Sequence, residues 1–220
     1  DYTVSLSNEN TRFGADGPVT ITDRGGALIE LQDTKFSGRF DNPKLSTAFS
    51  YDFGGGVLAN LNLSYGVDYY SRQEPETGTR ASGETRTRES RTDEDGPFYE
   101  LGGDIQFPFG PGSLKLIGLE RFERDNYAST LIDRFSDGSP SRGSRFQQTN
   151  GEGERIGRFE YDWRLWKADW QLSGEAAFNR LDRRSRLFEL DPGDEFVERA
   201  FPQGTGGVTE DRYEASLSVS

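Results

Sequence analysis

From Val57 to Tyr69 every odd position is apolar or aromatic (Val57, Ala59, Leu61, Leu63, Tyr65, Val67, Tyr69), whereas Leu58 is the sole apolar residue among the even ones. A period of two held over so long a run excludes an amphipathic helix and describes a strand with one face in an apolar medium. Just upstream, Leu45, Thr47, Phe49, Tyr51 and Phe53 alternate with polar or small neighbours, and only Gly54-Gly55-Gly56 separates the two runs. That is a hairpin. The arrangement recurs at Tyr99–Phe109 with Leu114 onward across Gly110-Pro111-Gly112, and at Phe159–Leu165 with Trp170–Phe178 across Trp166-Lys167-Ala168. Tyr2, Val4 and Leu6 open the chain, and Tyr213, Ala215, Leu217 and Val219 close it, as two further half-hairpins. The facing of 113–124 stays open: Leu114 and Leu116 share one side, Ile117 and Leu119 the other, which requires a bulge or partial burial of both faces.

Short turns alternate with long polar connections over about 8–43, 71–97, 125–154 and 182–210. Structureless loops of that length are rare in a compact soluble domain. They are ordinary in an antiparallel up-and-down transmembrane β-barrel, which has tight turns at one rim, long loops at the other and strands of alternating polarity. The expected architecture is therefore an all-β barrel segment of about eight strands, at 1–7, 44–53, 57–70, 98–109, 113–124, 155–165, 169–181 and 211–220. Composition agrees. With 29% charged and 32% hydrophobic residues the chain would lean toward disorder, yet it carries 16 Phe, 9 Tyr, 3 Trp and 27 Gly, the residues of strands and turns. Lumen and loops account for the polarity, and aromatic residues near strand ends suit a membrane interface. A soluble β-sandwich binding module shares the alternation and is the competing architecture.

The chain contains no His and no Cys. The commonest general base, the thiolate nucleophile and Cys-ligated zinc are thereby removed, so no enzyme is expected and neither cofactor nor metal is called for. A net charge of −12 speaks against a nucleic-acid partner. No apolar run is long enough for a membrane helix and no leader opens the chain, which reads as an excerpt of a longer, processed polypeptide.

Several stretches carry a resemblance: Gly26–Glu30, Ser113–Leu119, Leu131–Ser139, Trp170–Phe178 and Thr205–Ser216. They resemble early barrel strands of TonB-dependent outer-membrane receptors, particularly of an alphaproteobacterial type. The resemblance implies a bacterial outer-membrane location and a parent barrel of about 22 strands enclosing a plug domain. It also implies contact with the TonB complex, and energised uptake of a small-molecule substrate such as a ferric chelate, vitamin or sugar. A small complete barrel with a structural or adhesive role, embedded in outer-membrane lipid, is the alternative.

Two groups of residues are candidates for function. Arg91, Asp93, Glu94 and Asp95 fall in the connection 71–97, where they would grip a charged ligand from an extracellular loop; a solvated, self-neutralising loop tip is the plainer reading, since the acids lack calcium-loop spacing. Asp104, Gln106, Arg158, Glu160, Asp162, Arg164, Gln171 and Glu175 form the polar faces of the strands and are expected to face the lumen, as part of a permeation path, the seat of a plug, or a merely hydrated wall. Gly151-Glu-Gly-Glu-Arg-Ile156 imitates a dinucleotide fingerprint, but Ile156 occupies its third glycine position and a strand follows.

Overall fold

Nine antiparallel strands form a single sheet in the computed structural model, which describes all 220 residues. They are β1 (Tyr2–Thr22), β2 (Leu28–Gly54), β3 (Val57–Arg80), β4 (Thr85–Phe109), β5 (Gly112–Phe135), β6 (Arg142–Leu165), β7 (Ala168–Leu190), β8 (Phe196–Arg199) and β9 (Thr205–Val219). Each of β1 to β7 pairs with its successor, and the last position in the wall is shared: β8 takes the far end of β7 and β9 the near end. Pro202, which has no N–H to donate, lies in the break between them. β1 and β9 do not pair, so the sheet is an open, up-and-down segment of a barrel.

The stretches expected as long loops are strand. β2 to β7 run for 23 to 27 residues, more than twice the roughly ten needed to cross a bilayer. What connects them at the far rim are tight turns near the middle of each supposed loop. At Asp23 the carboxylate accepts the backbone N–H groups of Gly25 and Ala27 (2.8 and 2.9 Å), and Asp191 does the same for Gly193 and Glu195 (2.8 and 2.9 Å). These two Asx turns carry their signature in plain sight, Asp-x-Gly, and the other two far-rim turns, Ala81-Ser-Gly-Glu84 and Ser136-Asp-Gly-Ser139, are each built on a glycine at positive φ. They escape a reading by periodicity because the flanking residues, such as Thr85–Arg91, are polar on both faces. Alternating hydrophobicity reports one-sided burial, and a ladder wet on both sides has none.

Register assigns every side chain to a face. Phe49, Leu61, Gly103, Gly118, Gly157, Ala176 and Tyr213 lie in one ladder row, and the rows below it hold Tyr51, Ala59, Ile105, Leu116 and Phe159, then Phe107, Leu114, Tyr161, Leu172 and Leu217. A stack of rings closes this apolar belt at the short-turn rim: Phe109 on Tyr161 (6.0 Å), Tyr161 on Trp163 (5.1 Å) and Trp163 on Trp170 (6.1 Å). β5 keeps its register without a bulge. Leu114 and Leu116 therefore lie in the belt while Ile117 and Leu119 face the other way, where Leu119 shares a row with Gly102, Ile156 and Ala177. Both faces of this strand are partly apolar.

Burial is inverted. Ten of the 220 residues are buried and Ala177 is the only hydrophobic residue of substance among them, so nothing corresponds to a soluble core. Leu61 is 49% exposed and Phe109 57%, whereas the carboxylates on the opposite face are crowded, with the side chains of Asp104 and Glu175 at 21% and 19%. Since side chains converge on the inside of a curved wall and diverge on its outside, the polar face is the concave one. A second sheet to cover the rings is absent, which overturns the sandwich alternative.

Candidate functional site

The concave face is stratified into three zones. In the lowest, level with the belt, the eight polar residues singled out from sequence all share the face. One row runs Ser50, Asn60, Asp104, Ile117, Arg158, Glu175, Glu214, and the next includes Gln106, Lys115 and Glu160, with Asp162 and Gln171 paired below and Arg164 opposite Asp169. Their charges are answered locally: Lys115 with Asp104 (3.5 Å), Arg158 with Glu160 (2.6 Å), and Arg212 with Glu175 (2.8 Å). Gln171 donates to Asp162 (3.0 Å) and Asn60 to Asp104 (3.2 Å). Each pair joins adjacent strands or neighbours on one strand, so the wall is hydrophilic with a modest excess of carboxylates.

Above it lies an acidic zone that spacing alone does not reveal. Asp68, Glu94, Glu123, Asp125 and Glu152 come from β3, β4, β5 and β6 and share the concave face once register is fixed. Burial, together with the neighbouring Glu123, Glu94, Glu152 and Asp68, raises the Asp125 carboxyl above its ordinary value. Beside it a cavity of about 460 Å³ is lined by Arg121, Glu123, Glu152, Glu154, Asn179 and Glu210 among others. No three of these carboxylates converge as metal ligands would. The zone sets a negative potential across the concave face just above the belt.

The quartet Arg91, Asp93, Glu94 and Asp95 does not come together. It lies within β4 rather than in a loop, and strand alternation sends Arg91, Asp93 and Asp95 to the convex face and Glu94 to the concave one. Each convex member is occupied nearby: Arg91 pairs with Asp93 (2.6 Å), Ser71 donates to Asp93 (2.9 Å) and Asn126 donates to Asp95 (2.9 Å). The hydrogen bond from Arg91 holds the Asp93 carboxyl below its usual range. The two-residue repeat of the strand thus leaves three of the four on one face and separates Glu94 from them.

Near the far rim, four strands meet in the most enclosed ionic cluster of the molecule. The guanidinium of Arg86 (β4) binds Glu30 of β2 at 2.9 Å, Asp133 of β5 at 3.0 Å, and Glu76 of β3, and Arg88 adds a second cation on Asp133 (2.8 Å). Glu30 reaches Arg86 from two strands away because Gly78 intervenes: a Cβ there would overlap the Glu30 carboxylate. Burial would raise Glu30, but hydrogen bonds from Arg86 and Gln32 more than reverse that and hold it low. Asp133 is held low by Arg88, then Arg86. Burial likewise opposes the charge of Arg86, and its bonds to Glu30 and Asp133 outweigh the penalty and raise its pKa. Sequence reasoning did not find this cluster, since it depends on the register of four long strands.

No protein-family model and no curated protein matches the chain. Among solved structures, the ferric yersiniabactin uptake receptor FyuA from Yersinia pestis is similar at 9% identity, over 99% of this chain and 43% of its own, with a TM-score of 0.23. The ferric-catecholate import receptor Fiu from K12 E. coli is 8% identical over 99% of this chain and 46% of its own, with a TM-score of 0.17. The lysenin pore is 14% identical over 87% and 71% of the two chains, with a TM-score of 0.21. The chain thus spans less than half the length of either receptor. Scores this low decide nothing about fold or activity, and the fold stands on the ladder itself.

Proposed function

We propose that the chain is part of the wall of a barrel in the bacterial outer membrane. The observation that carries this reading is the inverted burial: a continuous belt of bare Leu, Ile, Phe, Tyr and Trp on the convex face, against paired charges on the concave one. Water would leave that belt exposed at about 25 cal/mol per Å², whereas hydrocarbon removes the penalty. The belt is also shaped for a bilayer. Along β4 it extends from Phe109 to Tyr99, roughly 33 Å of strand and about 23 Å of height for a leaning wall, close to the apolar band of known barrels. Its upper limit climbs across the sheet, from Tyr213 on β9, level with Leu61, to Tyr69 eight residues further along β3. Such a climb, about 26 Å of strand over about 24 Å of sheet, corresponds to a lean of about 45–50°.

The narrower reading is a TonB-dependent receptor that takes up a scarce small molecule, with a plug domain seated on the concave face. It rests on the resemblance of the strands quoted above, and on the two free edges at β1 and β9, whose bare backbone groups inside a bilayer need further strands. In this reading the wall does no covalent chemistry, and the polar face serves hydration and the seating of a plug. A second reading, a small barrel closing on itself, is favoured by the antiparallel sense of β1 and β9, which would let the two edges pair.

Reconstitution of the full-length chain into phosphatidylcholine vesicles tests the membrane reading: trypsin should leave the belt halves of the strands intact while cutting at the far-rim turns, near the exposed Arg24 and Arg142. A chain that stays monomeric in plain buffer and is cleaved throughout in vesicles would overturn it. Uptake of a ferric chelate that stops when the proton-motive force is dissipated separates the receptor from the self-closing barrel.

A further inference from the structure

Below and above the acidic zone the concave face answers its carboxylates with cations, as at Asp104, Glu175 and Asp133. Within the zone it does not. Asp68, Glu94, Asp125, Glu152, Glu154 and Glu210 share that face over four successive ladder rows, and none of the six is ion-paired. The nearby cations are committed elsewhere: Arg121 to Glu123 (3.1 Å), Arg183 to Asn150 (3.1 Å), Arg212 to Glu175 (2.8 Å) and Lys44 to the ring of Phe98 (5.7 Å). Independently of the charge, the surface between these carboxylates is apolar. Tyr70 is the register partner of Glu94, Phe98 that of Glu123, and Leu181 lies between Glu152 and Val208. The cavity of about 460 Å³ combines the two, with Leu181 and Val208 set among Glu123, Glu152, Glu154 and Glu210. Arg121 and Arg180 line it as well, but each is closed by its own carboxylate, Glu123 and Asp182 (3.1 and 2.5 Å), which leaves Glu152, Glu154 and Glu210 in excess.

We propose that this cavity binds a linear aliphatic polyamine, its ammonium groups on Glu152, Glu154 and Glu210 and its methylenes on Leu181 and Val208. The inference needs the register of the ladder and does not depend on the bilayer. Three features select the ligand. The unmatched charge is negative throughout, so the occupant is a cation. Strand spacing and the two-residue repeat set neighbouring carboxylates about 5 and 7 Å apart at their Cα atoms, too far to converge on one metal ion and in step with amines separated by three or four methylenes. Apolar side chains among the acids suit the carbon chain of an amine and offer nothing to a hydrated ion. Lys44 already behaves in this way two strands from the cavity, where the chain's own alkylammonium settles over Phe98 rather than on a carboxylate.

The test is calorimetric titration of the full-length chain in dodecyl maltoside micelles with spermidine and, separately, with magnesium chloride. Spermidine should bind saturably and about ten-fold or more tightly than Mg²⁺, which gives up its waters reluctantly. The double variant Glu152→Gln, Glu154→Gln should lose about ten-fold or more in spermidine affinity, the effect of charge-assisted hydrogen bonds removed. Asp93→Asn with Asp95→Asn makes the same change in net charge on the convex face and should stay within about two-fold of the wild type, since exposed charges at that distance are screened. Leu181→Asn, which leaves every carboxylate in place, should cost spermidine about three-fold and Mg²⁺ nothing, and it decides the matter if the concave double variant fails to fold. Mg²⁺ binding as tightly as spermidine would make the cavity a site for divalent ions and overturn the proposal. Equal losses from the concave and convex double variants would reduce the binding to net charge and overturn it too, as would a titration without saturation. None of these outcomes bears on trypsin protection in vesicles, so the membrane reading stands or falls separately.

Discussion

Between Phe109 and Tyr99, β4 presents Phe, Phe, Ile, Gly, Leu and Tyr in turn on its convex side; between Asp95 and Thr85 the same side reads Asp, Asp, Arg, Glu, Thr and Thr. Both halves are regular ladder, in one register, without a bulge. In the membrane reading proposed above, the register of the lower half is enforced by the medium, because a one-residue slip would turn every belt side chain into the concave face and put charges outside. In the upper half nothing apolar distinguishes one face from the other. There the register has to be held by the hairpin turns and by ion pairs that fit only one alignment, and Arg86 with Glu30, Glu76 and Asp133 is the pairing that spans the most strands.

The largest effect should therefore come from Arg86→Ala. Removing the cation leaves three carboxylates facing one another in a half-enclosed site, a loss of roughly 3–5 kcal/mol for a buried pair that is broken on one side. The effect should stay local. Hydrogen exchange at the amides of Thr85–Glu89 is expected to accelerate by two orders of magnitude or more, with the amides of Ile105 and Leu116 unchanged. Acceleration of both halves together would show that the ladder is one cooperative unit and that the two halves are not held separately.

The belt half responds to the opposite chemistry. Leu61→Arg places a charge near the middle of the apolar band, where it costs about 2–4 kcal/mol, whereas Asn60→Arg, one residue away on the concave face beside Asp104, should cost less than about 1 kcal/mol. Denaturant titration of vesicle-inserted protein measures both. Similar values for the two variants would remove the distinction between the faces, and the membrane reading with it.

Legibility followed the same division. Val57–Tyr69 could be read because one face is apolar almost throughout, and the same alternation puts Asp104, Arg158 and Glu175 together on the opposite face. Thr85–Asp95 could not, because a strand with no apolar face carries no period, and its residues pass for a loop until the Ala81-Ser-Gly-Glu84 turn is taken as a hairpin tip. The Arg86 cluster lay further out of reach: its partners are separated by tens of residues, and their convergence needs Gly78 as a gap through which Glu30 passes. The acidic zone around Asp125 is likewise a product of register. The split of the last wall position into β8 and β9 did have a signal, Pro202, which a barrel expectation of eight even strands passes over.

Acidification sharpens the comparison within the upper half. Glu30 and Asp133 have folded pKa values below their ordinary 4.5 and 3.8, so the stability they contribute is complete above those values and is lost as pH falls through the lowered ones. Asp125 has the opposite sign: its pKa is raised above 3.8, its ionised form is disfavoured in the fold, and lowering the pH through the raised value relieves repulsion. Protection of amides near Asp125, taken relative to their intrinsic exchange rate at each pH, should rise on moving from pH 7 toward 4, while protection near Arg86 should fall only below about pH 4. Arg86→Ala should abolish the second change and leave the first.

The smallest expected effect lies at the other rim. The turn joining β6 to β7 places Trp166 and Lys167 at φ of 52° and 67°, the left-handed region that a two-residue hairpin demands and that a side chain resists by about 1 kcal/mol or more. The sequence accepts that strain at two adjacent residues where the β2–β3 turn uses three glycines instead. In the membrane reading, Trp166, 85% exposed beside the ring stack that ends the belt, has a reason to stay, as an indole at the membrane interface. Lys167 has none that a glycine would forfeit. Lys167→Gly should raise stability by about 0.5–1 kcal/mol in the same denaturant titration, and Trp166→Gly, which relieves the same strain but removes the interfacial ring, should raise it less or lower it. Equal gains from both substitutions would mean that the turn sits in water and the belt ends above it.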